Sequence, residues 1–438
     1  MKRRTFLDVS AGAAFGAAFG THTTQAAAQG KTIPEPARNI ELIDEADIVV
    51  LGGGPAGCAA ATAAARSGAD VLLIERYGCL GGMATDGLVI LLDCYGKKGE
   101  ILMSGLTVDY LDRLKELHVA RTPDWFRLET PVYCPEMLKF VSLDMAEKAG
   151  VRFLLHAWAV QAYVVDNRLD AVIVESKSGR QAVRGRIFID CTGDGDTAAW
   201  AGVPHETSES PFGNALNAQI GNVDYPHFRK FTVSNPDRWK KLREEMAEKE
   251  INFQIQAAWT DRRAWINTHF PGSAIDVRDL TYCETTMRRR YMDFYLFLRD
   301  KVPGFEEANI LATASQVGTR ESRRITGMYV MKDEDVPGGH FEDSIGTGVT
   351  WTGPKAGEAF DIPYRSLVPK GIGNLLYAGR CISADHEAHQ NTRVITNCWA
   401  MGQGAGVGAG IALEAGCRVG EVDVKTLQSR LRSQGVEV

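Results

Sequence analysis

One stretch limits what this chain can fold into more than any other: Asp47-Ile48-Val49-Val50-Leu51-Gly52-Gly53-Gly54-Pro55-Ala56-Gly57, completed by Val71-Leu72-Leu73-Ile74-Glu75. An apolar strand runs into a glycine-rich turn, and an Ala-rich helix follows from Cys58 to Arg66. Gly68 ends that helix, and a second strand closes on an acid. Strand, turn, helix, strand and acid in this order are the parts of a dinucleotide-binding unit. Gly52 permits the tight turn, and Gly54 lets the backbone approach a pyrophosphate. Gly57 brings the helix against the sheet, so that the helix N-terminus faces the phosphate charge. Glu75 stands where a carboxylate accepts hydrogen bonds from ribose hydroxyls. The flanking strands and helix carry this reading; the glycine spacing alone would not.

The N-terminus has a different character. Lys2-Arg3-Arg4-Thr5-Phe6-Leu7, an Ala/Gly stretch and Ala26-Ala27-Ala28 form the pattern of a twin-arginine export signal over residues 1–28. Its implication is a periplasmic protein, exported folded with its cofactor in place. No later stretch is long and apolar enough to span a bilayer, so the exported form is expected to be soluble. A net charge of −6 and the lack of a basic stripe speak against a nucleic-acid partner. Nine scattered cysteines without a CxxC pair exclude cluster or zinc spacing, and no metal site is expected.

Past the first unit, residues 100–150 have helical periodicity. From Val151 the period drops to two: Val151–Leu155, Ala159–Val165, Leu169–Glu175 and Val183–Asp190 read as a meander of short strands. Residues 206 to about 310 are rich in Trp, charge and helix formers, and Pro303-Gly304 stops a long helix bearing Arg288-Arg289-Arg290, a solvated basic face. The composition shift suggests an inserted domain. A Gly/Ala-rich helix, Ala400 to Leu413, closes the pattern. The glycine run Gly404-Ala405-Gly406-Val407-Gly408-Ala409 imitates a second nucleotide fingerprint, but no strand precedes it.

Three later segments choose between flavin and nicotinamide. Cys79-Leu80-Gly81-Gly82-Met83-Ala84-Thr85 resembles the loop after the second strand in flavoproteins of the glutathione-reductase superclass. Ile187-Phe188-Ile189-Asp190-Cys191-Thr192-Gly193-Asp194-Gly195-Asp196 is similar to their segment ending the meander. Asp361 to Pro369, followed by Asn374 to Ser383, resembles the closing segment. With Thr319 to Ile325, these resemble the FAD-dependent oxidoreductase family over most of residues 45–415. The resemblance implies an α/β fold: a Rossmann-like FAD-binding domain, with a parallel sheet and β-meander, over 45–205 and 362–420. It also implies an inserted α+β cap or substrate domain over 206–361.

The resemblance also assigns roles. It gives the pyrophosphate to Gly52, Gly54 and Gly57 and the adenosine ribose to Glu75. Gly81, Gly82 and Thr85 would line the flavin's central region, and the backbone of Val160 would meet the adenine. Gly193 and Asp194 would approach the phosphates or ribityl chain, Gly379 would lie beside the ribityl chain, and Gly402, Gln403 and Gly406 would bring a helix N-terminus to the pyrimidine end of the ring. Arg380 stands where many relatives carry an acid. It would donate to phosphate or substrate and cannot accept from a ribityl hydroxyl.

Flavin chemistry needs a proton donor or acceptor and groups that orient the substrate. His386, in Ser383-Ala384-Asp385-His386-Glu387-Ala388 before the last helix, is the first acid/base candidate, with Asp385 and His389 behind it. Arg320 and Arg393 are candidates to clamp a carboxylate or carbonyl through their guanidinium forks. Arg323 should face away from Arg320 and Arg324 if the segment is extended. Cys79 reads as packing. Trp239, Trp259 and Trp265 belong to the cap or to its core. The expectation is an exported enzyme moving hydride between a small organic molecule and FAD, with a quinone, a cytochrome or oxygen as electron partner. A flavin-dependent monooxygenase and a non-catalytic flavin-binding protein are the alternatives.

Overall fold

In the computed structural model, which describes residues 32–438 except 94, 125, 209, 211 and 212, the first element is the expected strand, β1 (Glu41–Leu51). The export signal over 1–28 lies outside the described residues. Residues 32–39 carry no helix or strand, whereas Ile40–Val438 form one compact unit.

β1 leads through the glycine turn into α1 (Pro55–Arg66) and β2 (Val71–Glu75), and the two strands pair in parallel. β3 (Arg152–Leu155) continues the parallel sheet beyond β2, with Leu72 opposite Arg152. The first of the expected meander strands therefore belongs to the parallel sheet: periodicity fixes the pleat but not the partner. The antiparallel meander itself is β4 (Trp158–Val165), β5 (Arg168–Ser176) and β6 (Gly179–Asp190).

β6 joins the two parts. One edge runs parallel to β1 along its length; on the other edge its first half pairs with β5, and Phe188–Asp190 pairs in parallel with Leu375–Tyr377. Asp190, fully buried at its end, caps the following turn: Oδ1 accepts from Thr192 N–H (3.0 Å) and Oδ2 from Ala198 N–H (2.8 Å). That turn carries Gly193 and Asp194 to the C-terminal ends of β1 and β2.

The second sheet is antiparallel, in the order β8 (Gln254–Ala257), β9 (Arg263–Asn267), β7 (Ala218–Gly221) and β10 (Asn309–Thr313). It shares an apolar cluster that includes Phe253 and Ile266 with α2 (Val277–Lys301), whose Met287, Tyr291, Phe294 and Leu298 are buried. Arg288 and Arg290 on the same helix pair outward with Glu284 and Glu250. Of the three indoles, Trp239 packs edge-on against Phe228 and Phe231, Trp259 lies under Arg263, and Trp265 lines the central cavity.

The chain returns to the first sheet through α3 (His386–Thr392) and α4 (Ile395–Ala415). α4 is buried for most of its length and lies directly on α1. A Cβ on Gly402 would stand 2.1 Å from the carbonyl oxygen of Ala56, and one on Gly406 2.3 Å from that of Ala60. Glycine every fourth residue lets the two backbones touch. Among the described residues, no helix is long and apolar enough to cross a membrane.

Candidate cofactor and substrate cavity

The C-terminal ends of β1, β2 and β6 open on a cavity of about 690 Å³, within the range of small-molecule sites. Parallel strands place their connecting turns at this edge, so the backbone amides of several turns converge there.

The glycine turn forms one end. Gly52 has a left-handed φ of +95°, and a Cβ on Gly57 would stand 1.8 Å from its carbonyl oxygen, so turn and helix are locked together. Gly54 differs: a Cβ there meets nothing within 4 Å, and the residue lines the cavity. No side chain caps the first turn of α1, so its amides are left for an anion. Glu75 accepts from Gly53 N–H (2.6 Å) and Tyr77 N–H (2.9 Å), and burial raises its pKa. The 79–85 loop braces this end from outside. Gly81 N–H donates to the Gly53 carbonyl (2.7 Å), Thr85 Oγ1 donates to that of Leu80 (2.9 Å), and Gly82 reaches the cavity wall. Cys79 donates to Asp86 (3.0 Å); burial and that carboxylate push its thiol up to about 12, which suits packing and not nucleophilic attack.

Gly193, Asp194, Gly379 and Arg380 form the middle of the cavity. The far end is made by Val394, Ile395 and Cys398, where α4 starts without a side-chain cap, together with Asp93, Arg393 and Trp351. Two uncapped helix starts thus face one cavity from separate places. Phosphate at the first and the electron-rich pyrimidine edge of a flavin at the second would meet partial positive charge. These residues fit FAD.

Several expected residues lie elsewhere. Gly402, Gln403 and Gly406 are in the third and fourth turns of α4, away from the cavity. The two glycines seat the helix on α1, and Gln403 Oε1 accepts from Leu106 N–H (2.8 Å). The end of α4 that meets the cavity lies a turn or more earlier. Ala157, Trp158 and Ala159 line the wall in place of Val160. His386 is also absent from the wall. It begins α3, and its Nδ1 lies 2.9 Å from Oε1 of the fully buried Glu321, which also accepts from Ser208, Arg324 and Gln390. Asp385 caps α3 by accepting from Ala388 N–H.

The arginine candidates do line the cavity. Arg320 donates to the carbonyls of Gly213 (3.1 Å) and Thr268 (3.1 Å) and to Asn267 Oδ1 (3.0 Å); burial lowers its pKa to about 10. Arg323 turns to Asp196 and Arg324 to Glu206 and Glu321, so the two diverge as an extended segment requires. Asp93, which no sequence motif marks, lies on the same wall as Arg393. Burial pushes its carboxyl up to about 6 against the opposing pull of Arg393.

A family model described as FAD dependent oxidoreductase matches residues 47–431. Digeranylgeranylglycerophospholipid reductase 2 of Methanopyrus kandleri is 32% identical over 160 residues, 34% of this chain and 38% of that protein. Digeranylgeranylglycerophospholipid reductase 1 of Methanothermobacter thermautotrophicus is 28% identical over 201 residues, 42% of this chain and 48% of that protein. The chain thus matches less than half the length of these curated relatives. A solved structure of a geranylgeranyl bacteriochlorophyll reductase-like protein from Thermoplasma acidophilum aligns with a TM-score of 0.42 at 13% identity, covering 89% of this chain and 83% of that one.

Proposed function

The chain belongs to the FAD dependent oxidoreductase family, and from that premise we propose an exported enzyme of the glutathione-reductase-like superclass that moves hydride between a small organic substrate and FAD. Electrons would pass on to a quinone, a cytochrome or oxygen, because soluble nicotinamide is expected to be scarce outside the cytoplasm. One observation carries the reading: Gly54 and Glu75 of the dinucleotide unit line the same cavity as Trp265, Asn267 and His269 from the second sheet. Cofactor and substrate space are continuous, and residues 206–361 would supply the substrate wall.

Gly52, Gly54, Glu75, Gly193 and Gly379 would hold FAD, and the start of α4 would face its ring. FAD bound there supplies a two-electron carrier. The chain supplies orientation and a dry wall. Arg320 and Arg393 would grip a polar substrate group, while Met83, Leu91 and Trp265 exclude water beside it.

Purified enzyme should be yellow and release FAD on denaturation. Under anaerobic conditions, a screen of small acids, alcohols, sugars and enones should find compounds that bleach the oxidised protein or recolour the reduced one. A folded, colourless protein that refuses added FAD would overturn the proposal.

A further inference from the structure

Arg393, on the cavity wall, is poorly satisfied among the described residues. Its Nη2 makes one long hydrogen bond, 3.3 Å to Gln390 Oε1, its guanidinium lies 5.9 Å from the centre of the Trp351 ring, and its buried Nε has no partner among the described residues. The charged and titratable groups around it are Arg320, Arg380, Glu321 and Asp93, with the buried His389 ring and the Cys398 thiol. Burial, then repulsion from Arg320 and Arg380, lowers its pKa to about 10. Arg380 is held by Asp194, and Glu321 is occupied by Ser208, Arg324, His386 and Gln390. Asp93 is therefore the carboxylate left to answer Arg393.

Asp93 is fixed in place by its backbone. Thr396 Oγ1, in the first turn of α4, donates to its carbonyl (3.0 Å), which ties it to the helix that Arg393 precedes. Its carboxylate has no hydrogen-bond donor among the described residues, and Arg393 is the one charged group acting on it. A guanidinium with a buried, unused N–H shares a cavity wall with a carboxylate that has no hydrogen-bond donor, and the two together make an incomplete pair. A second carboxylate would complete it, provided Asp93 gives up its charge.

We infer that this wall is a carboxylate subsite: Arg393, with Arg320, receives the carboxylate of a small organic acid, and Asp93 takes up a proton as the acid binds. This rests on the function proposed above, of which it names the substrate class. No bond is made or broken beyond the transfer of that proton from solvent to Asp93. The direction of the coupling follows from charge. In the free site burial raises the Asp93 carboxyl to about 6, against the pull of Arg393. A carboxylate on Arg393 removes the cation's pull and adds an anion, both of which raise that value. At neutral pH and above, where the free carboxyl is largely ionised, binding therefore draws protons in.

The test is calorimetry on the FAD-loaded enzyme with succinate and benzoate as probes and benzamide as the neutral counterpart. Titrations at about pH 7.5 in two buffers of different ionisation enthalpy read the proton uptake. Both carboxylates should bind at least roughly tenfold more tightly than benzamide and take up a measurable fraction of a proton, with the uptake shrinking at about pH 5. Arg393→Gln should lose roughly tenfold or more in affinity, and Arg393→Lys should regain part of it. Asp93→Asn, nearly isosteric, should bind the probes at least as well as wild type without proton uptake. Unchanged affinity in Arg393→Gln, or undiminished uptake in Asp93→Asn, overturns the subsite, as does failure of either probe to bind. Flavin content measured beforehand separates the two readings. A protein without FAD overturns the proposed function, and the same titration still decides the subsite.

Discussion

Arg380 Nη2 donates to Asp194 Oδ1 at 2.9 Å, and Ser322 closes the triangle by donating to the same oxygen (2.6 Å) while accepting from Arg380 Nη1 (2.8 Å). Burial alone would raise the pKa of Asp194; the charge of Arg380 and the Ser322 hydroxyl outweigh it and hold the carboxyl below its usual range. Arg380 is thus matched by an acid on the same cavity wall.

Breaking that pair from one side should be costly, because the remaining ion stays buried without its counter-charge. Asp194→Leu is expected to lose about 3–5 kcal/mol of stability, and the double substitution Asp194→Leu with Arg380→Leu should lose clearly less than the two single changes added together. Denaturant titrations of the three variants decide it, and simple additivity would show that the pair is not coupled.

Gly54 and Gly57 give a sharper contrast. Alanine at 57 drives a Cβ to 1.8 Å from a backbone oxygen and must deform the turn even in the flavin-free protein. Alanine at 54 meets no protein atom within 4 Å, and the φ of −71° there suits any L-residue. Gly54→Ala should therefore keep the melting temperature of the flavin-free protein yet hold FAD at least roughly tenfold more weakly. Equilibrium dialysis against FAD measures this. Wild-type affinity in Gly54→Ala would mean that no cofactor backbone lies against that residue.

What could be read from sequence follows how local each constraint is. The dinucleotide turn is written in eleven consecutive residues, because strand, turn and helix fix one another, and Gly52, Gly54 and Glu75 do reach one cavity. α4 was legible as a helix, but its glycines were ambiguous. Gly402 and Gly406 serve contact with α1, a spacing of four that a nucleotide fingerprint can imitate. His386 shows a further limit: its position before α4 was readable, but not that Glu321, 65 positions away, draws its ring from the wall. Asp93 had no local sign at all. It matters because the turn between α3 and α4 puts Arg393 on the same wall, 300 residues later in the chain.

The contact between α1 and α4 gives a third prediction. A Cβ at 406 would sit 2.3 Å from the Ala60 carbonyl oxygen and 3.0 Å from the Ala63 Cβ, and neither backbone nor a buried methyl can yield easily. Gly406→Ala should cost about 1–3 kcal/mol as the helices are forced apart. It should also weaken FAD retention, since the first turn of α4 forms one end of the cavity. A variant as stable as wild type in guanidinium titration would show that the helices do not meet at backbone distance.

His389 gives the fourth, through pH. Its ring is fully buried, and Nε2 lies 2.7 Å from the carbonyl oxygen of Arg380, which can only accept, so Nε2 carries the proton and Nδ1 is bare. Burial first, and the nearby Arg393 second, hold its pKa well below the ordinary 6.5. The unfolded chain therefore binds one more proton than the folded protein once pH falls through about 6.5. This residue's contribution should then drain away at up to about 1.4 kcal/mol per pH unit. Asp93 and Asp196 act in the opposite sense, since both are raised to about 6 and favour the folded form on mild acidification. Only the difference between wild type and His389→Gln isolates the histidine. At about pH 8 the variant should be the less stable, having lost ring packing, and its deficit should shrink steadily as unfolding is repeated down to about pH 5. A deficit that stays constant over that range would mean that the ring is protonated in the folded protein or exchanges freely with solvent.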